Sequence, residues 1–147
     1  MDRRKFLGLS AVAVLSLGLL PTLKPSFGAT KLEEEVKKRL GVDLSQIKEV
    51  QDIKLTAPTI AESGANVPIT VESTIPVDKV ERLYIFVDKN PVPWVVDVSL
   101  SPMNGQVFFS TRIKMGETSN VRAILKLKDG SYVMAKQEVK VTAGGCG

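Results

Sequence analysis

The most reactive side chain in this 147-residue sequence is its single cysteine, Cys146. It is the second residue from the C-terminus, and glycine occupies positions 144, 145 and 147. The thiolate form of cysteine is a nucleophile that also exchanges with disulfides. Glycine has the widest backbone freedom of any residue, so three glycines in the last four positions predict a mobile tail. The sequence therefore places one sulfur on an arm made of Gly144, Gly145, Cys146 and Gly147.

Histidine is absent from the sequence, which restricts the chemistry open to that thiol. Its absence excludes Ser-His-Asp and Cys-His catalysis, histidine metal sites and histidine pH switches. A single cysteine also excludes an internal disulfide and a thiolate metal cluster. Nothing near Cys146 in the sequence activates it, and the adjacent terminal carboxylate disfavours the thiolate. We therefore expect Cys146 to be a substrate-attachment point, with no catalytic residue, metal site or cofactor in this chain.

Other uses of a terminal cysteine fit the sequence less well. Prenylation needs the cysteine at the fourth position from the end, whereas Cys146 is at the second. Bacterial lipid attachment acts at the leader cleavage site, where there is no cysteine. A C-terminal Gly-Gly pair can be activated for sulfur transfer, but here the chain continues through Cys146 and Gly147. An intermolecular disulfide stays open as a side reaction or storage form.

The N-terminus has the pattern of an export signal. Arg3 and Arg4 are adjacent, and an apolar segment follows from Leu9 to Leu20. This pattern is typical of a twin-arginine signal peptide, here residues 1–28. The alternatives are a general secretory signal or a retained anchor, although the apolar segment is shorter than the about 18 residues that span a bilayer. We expect a mature chain that begins near Thr30 in the periplasm, without a membrane segment.

The formal charge of +4 comes mostly from this leader. The first 28 residues hold four of the 20 basic side chains and one of the 16 acidic ones, so the remainder has 16 basic and 15 acidic residues. Basic and acidic residues alternate along it without a basic stripe, and the sequence therefore predicts no nucleic-acid partner.

A short amphipathic helix is predicted over residues 30–40. Thr30 and Glu33 have the types and spacing of a capping box, and Gly41 can end the helix in a left-handed conformation. Its apolar residues recur at every fourth position: Leu32, Val36 and Leu40. This stripe could pack on the chain's own domain or on another subunit.

From about residue 50 onward, apolar residues alternate with polar ones, which is the period of half-buried β-strands. Seven such segments follow: 53–55, 67–71, 83–87, 94–100, 107–111, 121–127 and 133–141. Asn104-Gly105 and Asp129-Gly130 supply the positive φ angles of tight hairpins. The pattern predicts a mainly β fold, an immunoglobulin-like antiparallel β-sandwich at residues 29–142 with a short N-terminal helix and a flexible C-terminal tail at residues 143–147. The register of the last strand is left open.

The third of these segments is apolar on both faces. Tyr84 and Phe86 point away from Leu83, Ile85 and Val87 in an extended chain. Either the predicted helix or a loop covers this second face, or a partner subunit does, because exposed apolar faces of that kind mark interfaces.

The sequence also resembles a known family, the sulfur-carrier Y subunits of the Sox thiosulfate-oxidation system. The resemblance covers essentially the whole mature chain. It rests on the twin-arginine leader, Asn90-Pro91-Val92-Pro93, Ser110-Thr111-Arg112-Ile113 and, above all, Val141-Thr142-Ala143-Gly144-Gly145-Cys146-Gly147. Many members have one more glycine after this ending, so the tail is shorter here.

The resemblance implies a periplasmic covalent carrier, not an enzyme, that holds pathway intermediates on Cys146. It also implies partners: a Z subunit in a heterodimer, a haem-containing enzyme that joins thiosulfate to Cys146, a dimanganese hydrolase that releases sulfate, and either a sulfane dehydrogenase or another route for the remaining sulfur. A Z subunit without its own leader would explain the twin-arginine signal, because that route exports folded proteins.

Two other classes of function stay open. The first is a non-covalent β-sandwich binding or assembly module whose cysteine only forms intermolecular disulfides. The second is a stand-alone enzyme, which the lack of histidine and of any clustered acid–base residues disfavours.

Overall fold

A computed structural model describes residues 30–143, and within that range the chain forms one α-helix, nine β-strands and three short 3-10 helices. The helix α1 spans Lys31–Leu40. The strands are β1 (Lys48–Glu49), β2 (Ile53–Thr56), β3 (Ile60–Ala61), β4 (Val67–Ser73), β5 (Val80–Val87), β6 (Trp94–Ser99), β7 (Val107–Ile113), β8 (Ser119–Leu127) and β9 (Tyr132–Val141). The 3-10 helices are Leu44–Gln46, Val77–Lys79 and Pro102–Asn104.

The strands form two sheets. The larger has the order β1-β9-β8-β5-β6, with β3 also paired to β9, and the smaller has the order β2-β4-β7. All seven predicted strands are present, and the immunoglobulin-like sandwich is confirmed. The strands β1 and β3 were not predicted; each has two residues and runs parallel to β9, whereas every other pairing is antiparallel.

The main core lies between the sheets and follows the two-residue period of the sequence. Alternate side chains on β4, β5 and β8 point inward and are fully buried: Val67, Ile69, Val71, Leu83, Ile85, Val87, Val121, Ala123 and Leu125. Because neighbouring side chains on a strand point to opposite faces, a one-residue slip would turn each of these sets out of the core. The alternation therefore fixes the register of both sheets.

The helix α1 covers the outer face of the larger sheet. The Thr30 hydroxyl accepts a hydrogen bond of 3.2 Å from the Glu33 N–H, and Gly41 ends the helix with φ of 77°. The apolar stripe of the helix packs on Tyr84 and Phe86 of β5, together with Ile124 and Met134 of the neighbouring strands. The second apolar face of β5 is thus covered by the chain's own helix, as the first of the two alternatives proposed.

Polar contacts also fix the helix to the sheet. The Arg39 guanidinium lies 3.6 Å from the centre of the Trp94 ring, and its Nε donates to the Glu35 carboxylate at 2.9 Å. The Tyr132 hydroxyl donates to the Leu40 carbonyl at 2.9 Å. Beneath the helix, burial raises the pKa of Tyr84. Helix and sandwich therefore form one packed unit of three layers.

The two turns predicted as hairpins, at Asn104-Gly105 and Asp129-Gly130, connect their strands differently. Gly130 has φ of 91° in the connection that pairs β8 with β9, as predicted for a hairpin. Gly105 also has positive φ, 78°, but the hairpin prediction at Asn104-Gly105 is wrong. This segment leads from β6 in the larger sheet to β7 in the smaller one. The register of β9, left open by the sequence, is continuous along β8 from Ser119↔Val139 to Lys126↔Tyr132.

Candidate functional site

The predicted site residues Gly144, Gly145, Cys146 and Gly147 lie outside the described residues. The structure does describe the chain up to Ala143, where the segment that carries Cys146 begins. We call Val141, Thr142 and Ala143, the last three described residues, the arm base. Its contacts determine where the four terminal residues start.

The C-terminal end of strand β9 is fixed by packing in the core and by hydrogen bonds on both of its edges. Val139 is fully buried between the sheets, and Val141 packs against the same core. On one edge the Lys140 N–H donates to the Thr59 carbonyl at 3.0 Å. On the other edge the Val141 N–H donates to the Thr118 hydroxyl at 2.9 Å. The strand is therefore fixed to its last residue.

Hydrogen bonds continue past the end of the strand. The Thr142 N–H donates to the Ala61 carbonyl at 3.1 Å, and its hydroxyl donates to the Glu62 carbonyl at 3.1 Å. The carbonyl of Ala143 accepts a bond of 2.8 Å from the N–H of Gly64, which is buried. Ala143, assigned to the tail by the sequence, is thus bound to the loop between β3 and β4.

The arm base lies at the end of the sandwich where three loops meet. Strand pairing brings the C-terminal ends of β5, β7 and β9 together with the N-terminal ends of β4, β6 and β8. The loops at this end are 62–66, 88–93 and 114–118. Cys146 follows Ala143 by three positions in the sequence, and an extended chain gains at most about 3.3–3.6 Å per residue.

The charges at this end are mixed. Four exposed side chains are cationic, Lys89, Arg112, Lys114 and Lys140, and three are anionic, Glu62, Glu117 and Glu138. Among the described residues, no three potential metal ligands of the histidine, cysteine, aspartate and glutamate types converge. No helix within residues 30–143 is long and apolar enough to cross a bilayer. The described surroundings of the arm base supply anchoring groups and surface charge.

Sequence reasoning proposed the thiol of Cys146, which lies outside the described residues, but missed the residues that anchor the arm base. Thr118 and Gly64 come from two different loops, and only the folded topology brings them to the end of β9. Their types are those expected in any turn. No local signal in the sequence connects them to residues 141–143.

Comparison with known proteins gives one extensive match to a family model. The model is described as the sulfur oxidation protein SoxY, and it matches residues 37–146, a range that includes Cys146. The sulfur carrier protein SoxY of Chlorobium limicola f thiosulfatophilum is 34% identical in its solved structure, with a TM-score of 0.64. The alignment covers 76% of this chain and 96% of that one. No curated protein sequence matches significantly.

More distant structures share the fold alone. The superoxide reductase (neelaredoxin) of Ignicoccus hospitalis is 14% identical with a TM-score of 0.55, over 66% of this chain and 96% of that one. A superoxide-reductase-like protein of Thermotoga maritima is 16% identical with a TM-score of 0.54, over 68% and 98% of the two chains. Since the family model matches most of the chain and the Chlorobium protein is similar over nearly its whole length, this chain belongs to the SoxY family.

Proposed function

We propose that this protein is a periplasmic carrier of sulfur substrates in thiosulfate oxidation, and that it holds pathway intermediates covalently on Cys146. The observation that carries the proposal is the family match that continues through Cys146. The solved relative named as a sulfur carrier protein supports the same role. The protein is a carrier subunit on which partner enzymes act.

The first step loads the carrier. The Cys146 sulfur forms a bond to the outer sulfur of thiosulfate and gives a cysteine S-thiosulfonate, –S–S–SO3⁻. The thiol loses one proton, and two electrons pass to a haem-containing partner enzyme. The product keeps one negative charge and has gained a sulfur atom and a sulfonate group. It is therefore larger and more polar than the free thiol.

The second step unloads sulfate. Water attacks the sulfonate sulfur in the site of a dimanganese hydrolase, the bond between the two outer sulfur atoms breaks, and sulfate leaves with release of two protons. A persulfide, –S–S⁻, stays on Cys146. A sulfane dehydrogenase then oxidises the outer sulfur, or another acceptor receives it.

The arm base suits this division of labour. A carrier must present one residue to several active sites, which requires a short free segment on a domain that does not itself deform. Here β9 is hydrogen-bonded on both edges up to Val141, and Ala143 is held by Gly64. The four residues that follow would enter a partner's pocket while the sandwich stays outside it.

The proposed compartment and assembly follow from the leader and the resemblance. The twin-arginine pattern at Arg3 and Arg4 supports export to the periplasm after folding. A Z subunit that binds before export would travel with this chain as a heterodimer. The partner enzymes would then meet the loaded complex in the periplasm.

The test replaces the thiol in cells. In a thiosulfate-oxidising host that lacks its own copy of this protein, Cys146→Ser should abolish growth on thiosulfate, because serine cannot form the sulfur–sulfur bond. Thr142→Ser, which keeps a hydroxyl at the arm base, is the matched control and should restore growth. Normal growth with Cys146→Ser at the same protein level would contradict covalent carriage and favour a non-covalent module.

A further inference from the structure

Asn90 is one of two polar residues that are buried among those described, with 6% of its surface exposed. It begins the Asn90-Pro91-Val92-Pro93 segment, in the loop between β5 and β6. Its side-chain amide donates to the Lys114 carbonyl at 2.8 Å, and its side-chain oxygen accepts from the Gly116 N–H at 3.0 Å. Both bonds go to the turn between β7 and β8, on either side of the buried Met115.

The same turn is bonded to the loop that holds the arm base. The Met115 N–H donates to the Gly64 carbonyl at 2.7 Å, and the Gly64 N–H donates to the Ala143 carbonyl at 2.8 Å. The carbonyl of Lys114 and the N–H of Met115 belong to one peptide group. That group accepts a hydrogen bond from Asn90 and donates one to Gly64, so each bond polarises the peptide and strengthens the other.

We propose that Asn90 is a positioning residue for the segment that carries Cys146. Through the turn at Met115 and through Gly64, this chain of hydrogen bonds, which we call the relay, fixes the carbonyl of Ala143 and thus the point at which residue 144 is attached. If the relay opened, the next fixed residue would be Thr142, whose N–H bonds the Ala61 carbonyl and whose hydroxyl bonds the Glu62 carbonyl. The segment beyond the last anchor would then lengthen by one residue, and its maximum reach by about 3.5 Å.

A purely structural role predicts something different. If Asn90 only ties two loops together, its removal lowers the stability of the whole domain and leaves the arm base no looser than its surroundings. A positioning role predicts a selective effect on the amides of Met115 and Gly64. The Lys140 N–H is the internal reference, because it bonds to Thr59 at the same end but outside the relay.

The experiment measures amide hydrogen exchange by NMR in Asn90→Ala of the full mature chain. Loss of the relay should speed exchange at Gly64 and Met115 on the order of fivefold to tenfold relative to Lys140. Asn104→Ala is the matched control, because its side chain also bonds a loop backbone, the Ser101 N–H at 2.8 Å, at the opposite end of the sandwich. Unchanged relative exchange in Asn90→Ala, or an equal change in Asn104→Ala, overturns the proposal.

A nitroxide on Cys146, the only cysteine, reports the arm itself. In Asn90→Ala its paramagnetic broadening should extend to amides farther from Ala143 than in the native chain, and in Asn104→Ala it should not. An identical broadening pattern in all three proteins would contradict the positioning role.

The native chain offers a second measurement, which serves if Asn90→Ala does not fold. At low denaturant, the Gly64 and Met115 amides should exchange through one shared opening with the same denaturant dependence. Independent, faster exchange at Gly64 would show that the relay does not hold it. The functional meaning of the relay rests on the proposed carrier role, but these measurements need no sulfur chemistry, so either idea can fail alone.

Discussion

Among residues 30–143, every buried side-chain nitrogen and oxygen has a hydrogen-bond partner. One largely buried pair is Arg122 and Asp88, whose two bonds measure 2.7 and 2.9 Å. Their side chains are only 12% and 18% exposed. At the scale of single residues, the described polar groups serve to hold strands and loops in place, whereas the sulfur chemistry is proposed for Cys146.

We predict that Asp88→Ala lowers the free energy of unfolding by about 3 kcal/mol, because it leaves the Arg122 guanidinium desolvated and without its counter-charge. Urea unfolding followed by Trp94 fluorescence measures this loss. Glu81→Ala is the control, since it breaks an exposed pair with Lys126 and should cost no more than about 1 kcal/mol. Equal losses in the two variants would show that the Asp88–Arg122 pair contributes no more to the free energy of unfolding than the exposed pair does.

At the scale of elements, strand β5 joins the two cores of the fold, because one of its faces meets the core between the sheets and the other meets α1. Phe86→Ala should therefore cost about 3–5 kcal/mol of unfolding free energy, since Phe86 is fully buried under the helix. Phe108→Ala is the matched control on β7, where the ring is 47% exposed, and its loss should be clearly smaller. A similar, small loss in both variants would mean that α1 is not packed on this face in solution.

The strands and the helix could be predicted because their signals are local. Alternation identified both faces of β5, and the four-residue spacing of Leu32, Val36 and Leu40 identified the buried stripe of α1. The sequence could not say that these two surfaces meet, since either one could equally pack on a partner. The structure shows that they cover each other.

The errors at this scale also have physical causes. The strands β1 and β3 have two residues each, which is too short for any alternation to be seen. Asn104-Gly105 has hairpin chemistry, and Gly105 does adopt positive φ. The residue types of a turn do not specify which sheet the next strand joins, and β7 joins the smaller one.

The candidate site also has one part that the sequence could indicate and one part that it could not. Cys146 could be proposed from residue type and neighbours alone, and it stays a proposal because it lies outside the described residues. The groups that hold the arm base could not, because Gly64, Thr118 and Asn90 come from three loops that only the assembled sandwich brings together.

At the scale of the whole molecule, we propose separate tasks for the leader, the sandwich and the terminal segment. The leader is proposed to direct export, the sandwich to fold and bind the Z subunit, and the terminal segment to carry sulfur. A domain that folds before export would suit the twin-arginine route, which moves folded proteins across the membrane.

We predict that changing Arg3 and Arg4 together to lysine leaves full-length precursor in the cytoplasm, because lysine does not reproduce the planar, multidentate guanidinium. Cell fractionation with immunoblotting measures this. Lys24→Gln, which changes one leader charge outside the arginine pair, should not affect export. Mature-length protein in the periplasm of the double variant would indicate a general secretory signal instead.

The most direct measurement is the intact mass of the protein isolated from cells that are oxidising thiosulfate. Covalent carriage predicts masses increased by thiosulfate or by sulfur, their removal by a thiol reductant, and their absence from Cys146→Ser. A native protein that shows only its unmodified mass under these conditions, while thiosulfate is being consumed, would contradict the assignment of Cys146 as the sulfur-carrying residue.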